Sequence, residues 1–320
     1  MTTAICTTAS GATSFRANWK RLLHVFMSLL VLFMAAALLT GCKKGSANWK
    51  KGISAMEKGE YDDAVEAFEK SAKEGNTDAR MMLAVCYAAG IGVDEQDIKE
   101  AEEQLRKAAK TDDPVAQAAY GICMYYRVTE KAGSRYDRDE DEVKDALKYI
   151  KKSADQDCVF GQLALAFIYL DERDEEMRVK GVKYLKKAAE HSLSSKKIFL
   201  DDAKNGLVKY ALSKLVDVDD DEIVEGITDF LLFDKATVTN MCIIGSQAAL
   251  YMIYSTGTID GIDKNEDEAE KWLKKVKKNG LPKHFVAALK LSVAVIQKEE
   301  KERKERYERY ERERYDEYGY

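Results

Sequence analysis

Proline and histidine are nearly missing from this chain, with two and three residues respectively among 320. Both prolines, Pro114 and Pro282, fit turns that precede a helix. Scarce histidine leaves few places for the commonest general base. His24 falls in an N-terminal apolar segment, and His284 follows Pro282 in a turn. His191 stands beside Ser192, Ser194 and Ser195, which suggests a nucleophile-and-base pair. A helix C-terminus favours histidine and serines make the following turn, so the simpler account is preferred and no catalytic residue is assigned. The chain also lacks a basic cluster, and its net charge of -5 argues against nucleic acid as a partner. No cofactor motif occurs. Asp263, Asn265 and Asp267 imitate the start of a calcium loop, but Glu268 replaces the required glycine and Lys274 the closing glutamate, so no metal site is assigned. The acidic runs Asp137 to Glu142 and Asp217 to Glu222 suit solvated loops.

What the chain does have is a recurring pair of small residues seven positions apart. Ala64 with Ser71, Ala101 with Ala108, Ala146 with Ser153, Gly181 with Ala188 and Ala269 with Val276 each sit in an amphipathic Lys/Glu-rich segment. Two helical turns put both members of a pair on one face, where a small side chain lets another helix approach closely. Upstream of each pair lies a partner helix. Its signature is Ala79, Leu83, Ala84, Tyr87 in one copy, then Gly161, Leu165, Ala166, Tyr169, and Ser246, Leu250, Tyr251, Tyr254, with a variant at Ala116, Tyr120, Gly121, Met124. A glycine turn joins the two helices at Gly90-Ile91-Gly92-Val93 and at Gly257 to Gly261-Ile262, where positive φ ends a helix and the apolar residue folds back beneath it. A polar residue, Glu60, Asp97, Glu142 or Asn265, opens the second helix four positions before its first small residue.

The spacing predicts an all-α chain of stacked antiparallel helix pairs, a solenoid. The repeats fall at about 47–76, 78–112, 115–156, 159–191, 200–240 in degenerate form, and 243–281, within a body of 43–297. The residues quoted resemble the Sel-one-like repeat, a relative of the tetratricopeptide repeat, most strongly over Ala79 to Ala109 and Ser246 to Gly280. The copy at Gly161 to Glu190 departs from it, with Asp171-Glu172-Arg173-Asp174 in place of the glycine turn. The copy before it carries an insertion from Arg127 to Glu142. The resemblance implies a right-handed superhelix that holds protein partners without catalysis.

At the N-terminus, Arg16, Lys20 and Arg21 precede an apolar run from Leu22 to Leu39 that ends in Leu39-Thr40-Gly41-Cys42, with no acidic residue before the cysteine. This describes a signal peptide over 1–41, and its end resembles a bacterial lipobox in which Cys42 is acylated and becomes the first mature residue. An uncleaved membrane anchor is the competing reading. Lys43 and Lys44 resemble the sorting pattern for the outer membrane, which places the body in the periplasm. Several acyl chains give durable attachment, at about 0.8 kcal/mol per buried CH₂.

Of the remaining cysteines, Cys86 and Cys123 occupy equivalent helical places, and stacked helices about 8 to 10 Å apart hold equivalent Cα atoms too far apart for a bridge. Buried free thiols are expected for Cys86, Cys123, Cys158 and Cys242. From Lys298 a charged tail containing Tyr307 and Tyr310 continues a last helix whose Ala288, Leu291 and Val295 are expected to pack on the final repeat, giving a helical tail over 298–320. Alignment with related solenoids places Met81, Tyr125 and Tyr126, with Trp49 in the first unit, in a partner-binding groove. The expected function is a lipid-anchored envelope scaffold for a protein or peptide partner. An enzyme acting on cell-wall material and a surface-exposed host-interaction factor remain as alternatives.

Overall fold

The computed structural model describes residues 47–131, 139–193, 235–281 and 283–318. The leader with Cys42, residues 200–234 of the degenerate copy and with them the acidic run 217–222 lie outside the described residues. Eleven helices and no strand occur among those described. The chain divides into two compact units at Ile243/Ile244.

In the first unit the helices are α1 (Ala47–Glu57), α2 (Tyr61–Lys73), α3 (Thr77–Ala89), α4 (Ile98–Ala109), α5 (Pro114–Lys131), α6 (Glu140–Asp155), α7 (Val159–Leu170) and α8 (Glu175–Glu190). Each packs on the next in sequence order, and α5 also meets α7, so contacts stay local as in an array of repeats. All the small-pair residues of this unit are buried. Their role is steric. A Cβ added at Gly121 would meet Ile150 Cγ1 at 2.6 Å and Ala146 O at 2.8 Å, and one at Gly161 would meet Ser153 Oγ at 2.5 Å and the Ala154 amide at 2.6 Å. The small residues of α6 thus receive a glycine from the helix on either side, at a separation that tolerates no methyl group.

The turns follow from the same local chemistry. Gly90 and Gly92 adopt positive φ, and Ile91 between them is buried. Asp97 caps α4 by accepting from the amides of Lys99 and Glu100. Glu60 opens α2 from its N-cap position as expected, and the expectation for Glu142 is corrected. Asp139 caps α6 and Glu142 sits in its first turn, because α5 continues to Lys131 and the helix start shifts with the insertion. Glu60 precedes α2 without a side-chain capping bond. Where the glycine turn is missing before α8, Asp174 caps the helix. The nearly buried Arg178 donates from Nη1 to the carbonyls of Glu172 at 3.0 Å and Arg173 at 2.7 Å. A charged donor there satisfies the carbonyls of an exposed acidic turn.

The division between the units falls within α9 (Lys235–Thr256). The second unit continues with α10 (Glu266–Lys278) and α11 (Lys283–Tyr318). Asn265 caps α10, and Trp272, Leu273, Ala269 and Val276 are buried. The inward face of α11 differs from the expected one. Val286 and Val293 are buried and Leu289 and Ile296 half-buried, whereas Ala288, Leu291 and Val295 are exposed, Leu291 by 66%. Both sets keep a helical spacing, and the helix turns Val286, Leu289, Val293 and Ile296 inward. Gln297 donates to the Ser255 carbonyl at 2.8 Å and fixes that orientation. Beyond it Tyr307 and Tyr310 are exposed on the charged extension of α11. No helix among the described residues is long and apolar enough to cross a membrane.

Candidate interaction surface

Two of the four residues expected to line a groove lie in the core. Met81 and Trp49 are each 2% exposed, and the Trp49 ring meets that of Phe68 at 5.3 Å between centroids. The reason is the position of the first helices. On α3 the side chains of Ala79, Met81, Met82, Leu83, Ala84 and Cys86 are all buried, so little of its circumference faces solvent. Tyr125 and Tyr126 on α5 are half-buried. The next residue, Arg127, bridges Glu102 at 3.2 Å and Glu142 at 3.3 Å, tying both ends of the insertion to α4.

A second feature escaped the sequence pattern. In three copies a glutamine follows the small residue of the first helix and reaches the end of its own second helix. Gln117 accepts from Gln156 at 2.8 Å, Gln247 accepts from Asn279 at 2.9 Å, and Gln162 meets His191 Nε2 at 3.0 Å. All three glutamines are buried. The visible signal was the repeated dipeptide Ala116-Gln117, Gly161-Gln162, Ser246-Gln247. Each bond locks the open end of a helix pair and satisfies a buried amide that would otherwise be costly. His191 is therefore one member of this series, with Asp157 beside it at 3.4 Å and also bonded to Gln162 Nε2 at 2.8 Å.

The four remaining cysteines are free thiols, and Cys86, Cys158 and Cys242 are buried. Burial pushes the Cys86 and Cys242 thiols up to about 12 and that of Cys123 to about 11. They stay protonated at neutral pH and are poor nucleophiles. Tyr87 is also held up at about 12, by burial and then by Glu69, which accepts its hydroxyl at 3.2 Å. Among the described residues no group of three or more His, Cys, Asp or Glu is placed to hold a metal ion.

A concavity among the described residues of the first unit lies elsewhere. A groove of about 650 Å³ runs along the outer face of α6, with Leu147 and Tyr169 in its floor and Lys144, Lys148, Lys151 and Lys152 along it. Asp112, Asp155 and Gln156 complete the lining. Lys152 pairs with Asp112 at 3.0 Å and Lys144 with Asp141 at 3.1 Å. Ala146, Ile150, Ser153 and Ala154, on the opposite face of α6, are buried.

No known family model matches the sequence. A stretch of 88 residues is 33% identical to the exopolysaccharide production negative regulator of Rhizobium meliloti, covering 25% of this chain. The match spans 33% of the length of that relative. Among solved structures, a Sel1 repeat protein from Oxalobacter formigenes is similar at 18% identity and a TM-score of 0.37, over 73% of this chain and 84% of that one. A protective antigen of uropathogenic Escherichia coli with an SLR fold is similar at 19% identity and the same TM-score, over 79% of this chain and 49% of its own. The described residues are all-α, and the buried small pairs, the glycine turn and the sequential helix packing of the first unit make it an array of antiparallel helix pairs.

Proposed function

We propose that this protein is a non-enzymatic scaffold of the bacterial cell envelope, anchored by lipid at Cys42 to the outer membrane and facing the periplasm, which holds a protein or peptide partner on its helical repeats. The observation that carries this reading is the division of labour along the repeats. The paired small residues common to the copies are buried, which leaves the surface largely to residues that differ between them, including half-buried Tyr125 and Tyr126. Aromatic residues in such a setting make effective anchors, because large contact area comes at small entropic cost. The similarity of one stretch to a regulator of exopolysaccharide production fits a scaffold whose partner belongs to a regulatory system.

Two experiments test the two halves of this reading. Tyr125→Ser/Tyr126→Ser is expected to abolish capture of the envelope partner in proximity labelling of the lipidated protein, with thermal unfolding nearly unchanged. Undiminished capture removes the tyrosines from the surface, and a collapsed melting transition assigns them to the core. Separately, Cys42→Ala is expected to leave an unprocessed precursor that takes up no fatty-acid analogue. A processed, labelled product in that variant rules out the lipid anchor.

A further inference from the structure

The lysines Lys148 and Lys151 of the groove lack the acidic partners that α2 and α4 supply at the corresponding places, a feature that α8 shares at Lys183. In α4, Glu103 stands where α6 has Lys148, and it neutralises Arg106 at 2.6 Å and Lys107 at 3.5 Å. In α2, Glu66 pairs with Lys70, and in α10 Lys271 pairs with Glu268 at 2.8 Å while Lys275 lies over the Trp272 ring at 4.4 Å. No ion pair with a described residue holds Lys148 or Lys151. Two cations thus stand unpaired beside an apolar floor, in a chain whose net charge is negative.

We propose that this groove binds an extended acidic peptide segment of a partner protein, with carboxylates on alternate residues directed at Lys148 and Lys151 and an intervening apolar side chain laid on Leu147 and Tyr169. The proposal rests on the scaffold reading above and names its site and partner class. Dimensions agree. From Lys144 to Gln156 the helix rises about 18 Å, which an extended segment spans in five or six residues at about 3.3 Å each. Alternate side chains of such a segment recur about every 6.6 Å, against about 4.5 Å of axial rise between Lys148 and Lys151, a difference that the long, flexible lysine side chains span. The mixed lining also favours a peptide over a lipid surface or an anionic polysaccharide. Asp112, Asp155 and the Gln156 carbonyl accept hydrogen bonds from backbone amides, which neither alternative offers, and the floor takes an apolar side chain.

Fluorescence anisotropy on the full chain tests this, using a labelled peptide of alternating glutamate and leucine and its glutamine counterpart. The acidic peptide is expected to bind and to weaken as salt rises, while the glutamine peptide does not bind. Lys148→Glu/Lys151→Glu is expected to weaken binding at least about ten-fold, and Lys148→Arg/Lys151→Arg to retain it, with unfolding unchanged because all of these side chains are exposed. Equal binding of the acidic peptide by the charge-reversed protein overturns the site. Absence of binding by the unmodified protein overturns the partner class, as does lysine-dependent sedimentation with phosphatidylglycerol vesicles in place of peptide binding. If the charge-reversed protein still captures its envelope partner through Tyr125 and Tyr126, the groove is wrong and the scaffold stands. If neither form captures any partner, both fall.

Discussion

Gly161→Ala is expected to lower the melting temperature by several degrees, while Gly245→Ala leaves it unchanged or raises it slightly. Both glycines are helical, so alanine gains about 0.5 to 1 kcal/mol in each case by restricting the unfolded chain. The difference is what the new methyl group meets. At Gly245 nothing among the described residues lies within 4 Å, whereas at Gly161 the added carbon falls 2.5 Å from Ser153 Oγ and 2.6 Å from the backbone amide of Ala154. A flexible side chain can step aside, but a backbone amide inside α6 moves only with its helix. Overpacking of about 1 to 3 kcal/mol then exceeds the entropic gain, and Gly161→Val adds further bulk. At about 2 to 4 °C per kcal/mol for a body of this size, the two alanine variants separate clearly in a thermal melt by circular dichroism. Equal melting temperatures for Gly161→Ala and Gly245→Ala would contradict the packing of α7 against α6. Ala108→Trp, at another fully buried small position, is expected to destabilise by a similar mechanism.

That contact shows why so much of the fold was legible. A spacing of seven on a helix fixes a face, and only a close neighbour explains why the face must be small. Asp97 and Asn265 were readable for a similar reason, since capping depends on a few adjacent atoms. The candidate surface was less legible because it depends on which way a helix turns. Both apolar sets of α11 keep the same spacing, and nothing local distinguishes Val286 and Val293 from Leu291 and Val295. Met81 and Trp49 failed as surface residues because helices between two neighbours have few outward positions. The glutamine latches were hidden by ordinary expectation, which puts glutamine in solvent. Only the arrival of Gln156, His191 and Asn279 at the other end of each bond makes burial affordable. Lys148 and Lys151 belong to one more Lys/Glu-rich helix in the sequence, and that they lack acidic partners appears only beside α4, where Glu103 clamps the corresponding basic pair.

In the second unit, Trp272→Ala is expected to have the largest effect of any single truncation. Its side chain is fully buried, the indole N–H donates to Glu268 Oε2 at 3.2 Å, and the ammonium of Lys275 lies 4.4 Å from the ring centroid. Removing the ring forfeits apolar burial and leaves a cavity, a loss of about 3 to 5 kcal/mol, while the cation–π contact with half-buried Lys275 contributes about 0.5 to 2 kcal/mol. Trp272→Phe keeps much of the volume and loses the N–H donor, so its cost is expected to be smaller. Hydrogen exchange of the full chain, followed by mass spectrometry, localises the effect. Peptides covering Ser246 to Lys278 should lose protection in the alanine variant, since packing in a repeat array is carried by immediate neighbours. If protection there were unchanged, Trp272 would not be the residue that holds α10 in place, and the burial of Leu273 and Val276 would have to suffice without it.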